Sequence, residues 1–224
     1  VEDSASAIAS ALSGDNTALD GANDLEVTGG ITDIVGAANI QSSDAYDAAA
    51  SSYTISDSAS AVLGDTGTAI DDGVSTINVA GSVNAGVGVQ LGALEDAIFD
   101  TGFSADINFN VIDDASDIAT ALAGDDTVLD NAESLVVTSG IVSVDSAADI
   151  QGVTSYDSGA SSYTIADSSD AVLAASNEST ILNDGVSGVV VTDATGSGYV
   201  DATDGVSLTE LSLIHISEPT RPRE

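Results

Sequence analysis

Residues 11–31 read ALSGDNTALDGANDLEVTGGI, and residues 121–141 read ALAGDDTVLDNAESLVVTSGI. The second stretch follows the first at a fixed offset (121 − 11 = 110), and the match extends without a gap, with 30 identities in 53 positions between residues 3–55 and 113–165. Self-similarity at a fixed spacing is the sequence signature of an architecture built from stacked copies of one unit. This duplication therefore decides how the rest of the chain is interpreted.

A shorter period lies inside the duplication. Strand-like runs rich in β-branched residues start about 27 residues apart, from Leu25 to Val189 in six steps. Short helical patterns stand between them, at Ser4–Leu12 and Ala115–Leu122, with apolar residues three and four positions apart. The predicted strands are Leu25–Thr28, Tyr53–Ser56, Thr76–Ala80, Ile107–Ile112, Leu135–Thr138, Tyr163–Ala166 and Val189–Thr192.

This order of elements predicts an α/β solenoid. Strand–helix coils of about 27 residues would stack into one parallel sheet, an architecture like that of leucine-rich repeats, although the leucine-rich-repeat signature is absent. Each coil would cover the apolar face of the next, so the first partners of a coil are neighbouring repeats of the same chain. The alternative is a string of antiparallel β-sandwich domains, each as long as one duplicated unit, and the Ala-rich helical segments count against it.

Local signals refine this prediction. Four aspartates stand just before helical segments and are predicted as N-caps, namely Asp3, Asp57, Asp113 and Asp167. Three glycines are predicted to end helices, namely Gly14, Gly64 and Gly124. Alternation predicts the following residues on the outer face of the sheet: Glu26, Thr54, Asn78, Asn108, Val136, Thr164 and Val190.

The charge of the chain is extreme. Its 224 residues include 37 Asp and Glu against 2 Lys and Arg, which gives a net charge of −35. A polyanion repels nucleic acid and anionic membrane surfaces, so neither is expected as a partner. No apolar stretch is long enough to cross a bilayer, so no membrane insertion is expected.

The C-terminal segment differs from the rest of the chain. Residues 211–224 read LSLIHISEPTRPRE and hold the only His, both Arg and both Pro. The string resembles a translated sequencing adapter, and we expect it to be a non-native tail. Residues 1–210 are then one continuous repeat array of two units, 1–110 and 111–210, each made of two half-units. The start at Val1 without Met indicates a piece of a longer protein.

The residue types left in 1–210 exclude most catalytic chemistry. This part has no His, Cys, Lys or Arg, so zinc sites, catalytic triads and Schiff bases cannot be built from it. Only a carboxylate pair, as in glycoside hydrolysis, remains as a remote enzymatic alternative, and the expectation is that the chain is not an enzyme. The glycines at Gly86, Gly88 and Gly92 depart from a dinucleotide-binding loop and predict a flexible turn before a helix at Leu91–Phe99.

Acidic clusters recur with the duplication and are the candidate metal ligands. The segment Gly14-Asp15-Asn16-Thr17 with Asp20 recurs as Gly124-Asp125-Asp126-Thr127 with Asp130, and a looser version surrounds Asp65 and Asp71. Carboxylate oxygens suit Ca²⁺ better than other metals, although no segment matches an EF-hand loop. Helix capping and a solvated acidic surface explain the same residues. The candidate calcium ligands are Asp15, Asp20, Asp65, Asp71, Asp125 and Asp130.

Repeats of the type YTISDSASAV, with VVVTD strands and Ala-rich stretches between them, resemble the repeat arrays of large secreted bacterial surface proteins, the adhesin-like giants of marine bacteria and cyanobacteria. The resemblance covers residues 1–210 and implies an extracellular, non-catalytic segment. We therefore expect a stalk or spacer, acidic and adapted to a salty, cation-rich medium. The alternative is a calcium- or glycan-binding module of such a protein, with cell-surface polysaccharide or other surface proteins as partners.

Overall fold

A computed structural model describes residues 1–14, 17–65, 69–70, 73–100, 105–123, 125 and 127–192 of the chain. Strands and helices alternate along it. The strands are β1 (Glu2–Asp3), β2 (Glu26–Val27), β3 (Ile31–Thr32), β4 (Tyr53–Asp57), β5 (Val74–Val83), β6 (Asp106–Asp113), β7 (Ser134–Val137), β8 (Ile141–Val142), β9 (Tyr163–Asp167) and β10 (Val186–Val191). The helices are α1 (Ala5–Leu12), α2 (Ile34–Gln41), α3 (Ala59–Gly64), α4 (Ala85–Asp100), α5 (Ala115–Leu122), α6 (Val144–Gly152), α7 (Ser169–Leu173) and α8 (Glu178–Ile181).

Each described strand pairs in parallel with a neighbour in the chain. The sheets have the orders β1-β2, β3-β4-β5-β6-β7 and β8-β9-β10. Paired residues are 21 to 30 positions apart, from Tyr53 with Val74 (74 − 53 = 21) to Ile77 with Ile107 (107 − 77 = 30). The predicted α/β class with parallel pairing is thus confirmed, whereas the prediction of one sheet is wrong, because the described strands form three sheets. Among the described strands no antiparallel pair occurs, so the sandwich alternative has no support there.

The breaks between sheets fall at repeat-equivalent positions. A short link separates β2 from β3, and an equally short one separates β7 from β8. Gly29, Gly30 and Gly140 adopt positive φ in these breaks, a conformation that L side chains rarely adopt. Because β2 pairs with β1 while β3 pairs with β4, each break shifts the pairing from the preceding strand to the following one.

We call one or two consecutive strands, together with any described helices that follow them, a module, and the described part of the chain divides into eight modules. Helices of successive modules contact each other, for example α1 with α2, α4 with α5 and α5 with α6. The modules are 1 (β1, α1), 2 (β2, β3, α2), 3 (β4, α3), 4 (β5, α4), 5 (β6, α5), 6 (β7, β8, α6), 7 (β9, α7, α8) and 8 (β10).

The core lies between the strands and the helices, as the alternation predicts. On the helix side, α1 buries Ala5, Ile8 and Leu12, and α5 buries Ala115, Ile118 and Leu122. The residues predicted on the outer face are half-buried or exposed. The strand residues predicted to point inward are buried, namely Leu25, Val27, Tyr53, Ile55, Ile77, Val79, Leu135, Val137, Tyr163 and Ile165.

Three local predictions need correction. The N-cap is the residue after each predicted aspartate, namely Ser4, Ser58, Asp114 and Ser168. Gly14 follows α1 with a φ of 91°, as predicted, whereas Gly64 is the last residue of α3 and Gly124 lies outside the described residues. The predicted turn at Gly86–Gly92 is helical, because α4 begins at Ala85 and includes the predicted segment Leu91–Phe99.

Candidate functional site

Three aspartates at strand ends, which we call the strand-end aspartates, connect successive modules. Asp57, Asp113 and Asp167 continue the inward alternation of β4, β6 and β9 and are half-buried. One oxygen of each accepts the N–H of the next residue, at 2.7, 2.9 and 2.8 Å. The other oxygen accepts the first helical N–H of the preceding module, from Ile34 to Asp57 at 3.1 Å, from Ala85 to Asp113 at 2.9 Å and from Val144 to Asp167 at 3.0 Å.

These bonds explain the spacing of the aspartates along the chain. A carboxylate at a helix N-terminus satisfies an N–H that has no partner inside the helix and interacts favourably with the helix dipole. Each strand-end aspartate does this for the preceding module, so one aspartate serves two modules. The aspartates therefore recur every second module, as the nearly equal steps from Asp57 to Asp113 (113 − 57 = 56) and from Asp113 to Asp167 (167 − 113 = 54) show.

Two of the predicted calcium ligands also connect modules. Oδ1 of Asp20 accepts from the Ser43 hydroxyl at 3.0 Å and from the Asp44 N–H at 3.2 Å. Asp130 holds the equivalent position in the second repeat unit, and we call two such residues repeat mates. Asp130 accepts the N–H of Thr154 at 2.8 Å. Asp44 and Thr154 are themselves repeat mates (154 − 44 = 110), so the two halves of the chain use the same contact.

Asp65 and Asp125 make local turn contacts instead. Oδ2 of Asp65 accepts the N–H groups of Ala69 and Ile70 at 3.3 and 3.0 Å. Asp125 accepts from the Thr127 hydroxyl at 2.7 Å and from its N–H at 3.1 Å, and these bonds lower the pKa of Asp125. The other two predicted ligands, Asp15 and Asp71, lie outside the described residues.

In the described part of the chain, one group of three carboxylates has oxygens close enough together to share a metal ion. We call this group the trio. Oxygens of Asp113, Asp114 and Asp117 lie within 4.8 Å of one another where β6 leads into α5. Asp114 caps α5 by accepting from the Ser116 hydroxyl at 2.6 Å and from the N–H groups of Ser116 and Asp117 at 2.9 and 3.1 Å. The Ser116 hydroxyl is the largest cause of a lowered pKa for Asp114, followed by the Asp117 N–H.

Sequence reasoning did not single out this trio as a site. The sequence pattern predicts Asp113 as a helix cap alone and gives no role to Asp114 or Asp117. The sequence does hold one signal that could reveal the trio, which is a difference between repeat mates. Asp114 and Asp117 stand where the first unit has Ser4 and Ala7.

The outer face of the sheet carries mostly short uncharged side chains. Asn108 donates from Nδ2 to Oδ1 of Asn78 at 3.0 Å, which joins β5 to β6 on this face. Thr54 pairs with Ile31 and Thr76, and Thr164 pairs with Ile141. Aromatic and Arg side chains, which usually dominate tight interfaces, do not occupy the predicted outer positions.

Tyr46 and Tyr156 occupy equivalent positions in the two repeat units, and both are half-buried and pack against the core. The hydroxyl of Tyr156 donates to Oδ1 of Asn183 at 3.1 Å, and Gln151 donates to the hydroxyl of Tyr163 at 2.7 Å. Burial is the main reason that the pKa values of Tyr156 and Tyr163 are raised.

Glu95 is the one buried carboxylate among the described residues, and its side chain is 6 % exposed. Oε1 accepts the N–H of Ile107 at 2.9 Å, whereas buried Oε2 has no hydrogen-bond partner of normal geometry in this part of the chain. Burial raises the pKa of Glu95, and the Ile107 N–H and the nearby Asn131 side chain offset part of that rise. The carboxylates of Asp106 and Asp96 lie near enough to raise the pKa of Glu95 further.

Comparisons with known proteins found no match, neither to a family model nor to a curated protein or a solved structure. In the described residues, none of the helices is both long and apolar enough to cross a membrane.

Proposed function

We propose that this chain is a structural stalk or spacer segment of a large extracellular, adhesin-like protein, and that it is not an enzyme. One observation carries the proposal: the described strands pair in parallel with their neighbours in chain order, in three successive sheets. Contacts between modules recur at repeat-equivalent positions, as in the bonds of Asp20 and Asp130. Each module is thus stabilised mainly by its neighbours, which is the behaviour of a repeat array.

We infer further that the modules stack as a solenoid. Parallel strands lie about 4.8 Å apart, so a repeat unit of four modules adds about 19 Å of length. Such a segment lengthens a protein in regular steps without needing a large core, which fits a chain rich in Ala, Val and Ile. Its partners in this proposal are the neighbouring repeats, with surface polysaccharide or other surface proteins as outer contacts.

The charge supports a place outside the cell in salty water. Residues 1–210 hold 35 carboxylates (37 less Glu218 and Glu224) and no basic side chain, so the folded chain repels itself. At about 1 M salt the Debye length falls to about 3 Å, and most of this repulsion between exposed groups is screened.

A calcium-binding module is the second candidate, and the trio Asp113, Asp114 and Asp117 is the observation that favours it. Hard oxygen ligands are those that Ca²⁺ prefers. Against it, Asp113 and Asp114 already accept backbone N–H groups in the caps of α4 and α5. We therefore rank the spacer first.

Thermal melting in different salts tests both candidates. For a spacer we expect the Tm to rise by at least about 4 °C between low salt and about 1 M NaCl, which is roughly 1–2 kcal/mol for a chain of this size. Millimolar CaCl₂ added at high NaCl should then change the Tm little, in the wild type and in Asp117→Asn alike. A Tm that does not change with NaCl concentration contradicts the salt adaptation. A rise in Tm that saturates with CaCl₂ in the wild type and is lost in Asp117→Asn favours the calcium module.

A further inference from the structure

We propose that the buried carboxylate of Glu95 binds a small monovalent cation of the size of Na⁺, together with the side chain of Asn131. The site lies where module 4 meets module 5, because Glu95 belongs to α4 and Asn131 to the segment between α5 and β7. This role goes beyond the spacer function, which assigns no ligand to the inside of the chain.

Glu95 occupies a position that the helix pattern gives to an apolar residue. Leu91 and Ile98, four residues before it and three after it on the same face of α4, are both buried in the core. Glu95 itself is 6 % exposed, and its Oε1 accepts the N–H of Ile107 at 2.9 Å, near the start of β6. The carboxylate is thus held between α4 and the sheet rather than in the surrounding water.

The second oxygen, Oε2, is the atom that contacts the cation in this proposal. It is buried, and none of the described groups donates a hydrogen bond of normal geometry to it. Buried polar atoms are normally hydrogen-bonded, and buried charges are normally paired or bound to a metal ion. Oε2 therefore needs a partner that comes from the solvent.

The charges around Glu95 favour a cation as that partner. Residues 1–210 contain no Lys, Arg or His that could form an ion pair, and the nearby carboxylates of Asp96 and Asp106 add negative charge. A water molecule would satisfy Oε2 as an acceptor but leave its charge uncompensated in a region of low dielectric constant. A cation compensates the charge directly.

Asn131 supplies a second oxygen to this site. Its side chain lies close enough to Glu95 to offset part of the effect of burial on the carboxyl. An amide group carries both a donor and an acceptor end, so the carbonyl oxygen of Asn131 can face a cation beside Oε2. The segment that holds Asn131 is anchored on β6, where the N–H of Glu133 donates to the carbonyl oxygen of Phe109 at 2.8 Å.

The donor set suits a monovalent ion better than Ca²⁺. Calcium sites take about six to eight oxygen ligands and usually include several carboxylates. Here one buried carboxylate and one amide converge, while Asp96 and Asp106 are exposed. One positive charge balances the one buried negative charge, and a high NaCl concentration fills even a weak site.

Thermal melting at pH 7 and constant ionic strength tests the site. NaCl replaces choline chloride in steps at a total of about 1 M, so the Debye length stays at about 3 Å and the screening of surface charges does not change. Choline is too large to enter a buried site. The Tm of the wild type should rise with the share of NaCl by at least about 2 °C and then level off, as binding at one site requires.

Three variants locate the effect. Glu95→Gln keeps the shape of the side chain and removes its charge, so it should lose the saturable rise, and in choline chloride its Tm should exceed that of the wild type, which also shows that it folds. Asn131→Ala should need several-fold more NaCl to reach half of the rise. Glu133→Gln is the matched control, because it removes one charge from an exposed glutamate of the same segment and should respond like the wild type.

The outcomes that contradict the site are distinct from those that contradict the spacer. The proposal is overturned by a wild-type Tm that is equal in the two salts, by a full rise in Glu95→Gln, or by a wild-type midpoint in Asn131→Ala. The first two results would mean that water or a proton, rather than a cation, matches Oε2. The spacer function is tested by the change of Tm with total ionic strength, so it can stand when the cation site fails.

Discussion

At the scale of single residues, the buried carboxyl of Glu95 is expected to lower the folding stability by an amount that depends on pH. Its pKa is raised above 4.5, so the folded state takes up a proton before the unfolded state does as the pH falls. The cost of burying the charge is complete above the folded pKa and disappears below about pH 4.5. Glu95→Gln should therefore stabilise the protein at pH 7 by about 1–3 kcal/mol, with no gain at pH 4.

Urea unfolding at both pH values measures this difference. Asp96→Asn is the matched control, since Asp96 is an exposed neighbour on α4 and its change should stay within about 0.5 kcal/mol. An equal gain for Glu95→Gln at both pH values contradicts the assignment of a buried ionised carboxylate.

The strand-end aspartates give a second residue-scale prediction, with Asp3 as the built-in control. The two carboxylate oxygens of Asp57 accept the N–H groups of Ser58 and Ile34. Asp57→Asn replaces one of these oxygens with an NH₂ group, so it should lower the free energy of unfolding by about 1–2 kcal/mol. Asp3→Asn affects a carboxylate that accepts only the Ser4 N–H among the described residues, so its cost should be smaller. Chemical denaturation compares the two, and equal costs would show that the bond to the preceding module adds nothing.

At the scale of elements, the packing of α4 on module 5 predicts opposite effects for two glycines of one helix. Gly88→Ala pushes a methyl group against Val111 and Leu129 and should destabilise the protein by about 1–3 kcal/mol. Gly86→Ala meets nothing closer than Oδ1 of Asn84 at 3.7 Å and should stabilise it by about 0.5–1 kcal/mol through helix propensity. Thermal unfolding that moves both variants in the same direction contradicts this packing.

The elements also show how far sequence reasoning reaches. The seven predicted strands are all present because their alternation reflects burial on one face. β1, β3 and β8 have two residues each, too few to show a period. The start of α4 was missed because its glycines indicate a turn, whereas the close approach of α4 to Val111 and Leu129 requires Gly88, and that is a tertiary cause.

The same limit applies to the candidate site. The caps were predicted one residue early because Asp and Ser are both good N-caps and adjacent, so spacing alone could not choose between them. The trio of Asp113, Asp114 and Asp117 forms where β6 leads into α5. The repeat pattern of the sequence does not show the geometry of that connection. The double role of the strand-end aspartates depends on which helix lies beside each strand, which the sequence alone does not state.

At the scale of the whole molecule, the central claim is that the modules stack in chain order. The chain has no Cys, so pairs of spin labels can be placed on introduced cysteines without background. Ile31, Ile141 and Val190 are exposed and belong to modules 2, 6 and 8, all at outward strand positions. The number of modules between two labels then predicts the distance between them.

The decisive measurement is the pair of distances from Ile31→Cys to Ile141→Cys and from Ile31→Cys to Val190→Cys, by pulsed electron spin resonance at high salt. Four steps of about 4.8 Å predict a separation of about 19 Å, and six steps predict one of about 29 Å, before the length of the labels. Narrow distributions that differ by about 10 Å support the stack. Broad distributions, or a longer distance to Ile141 than to Val190, contradict it.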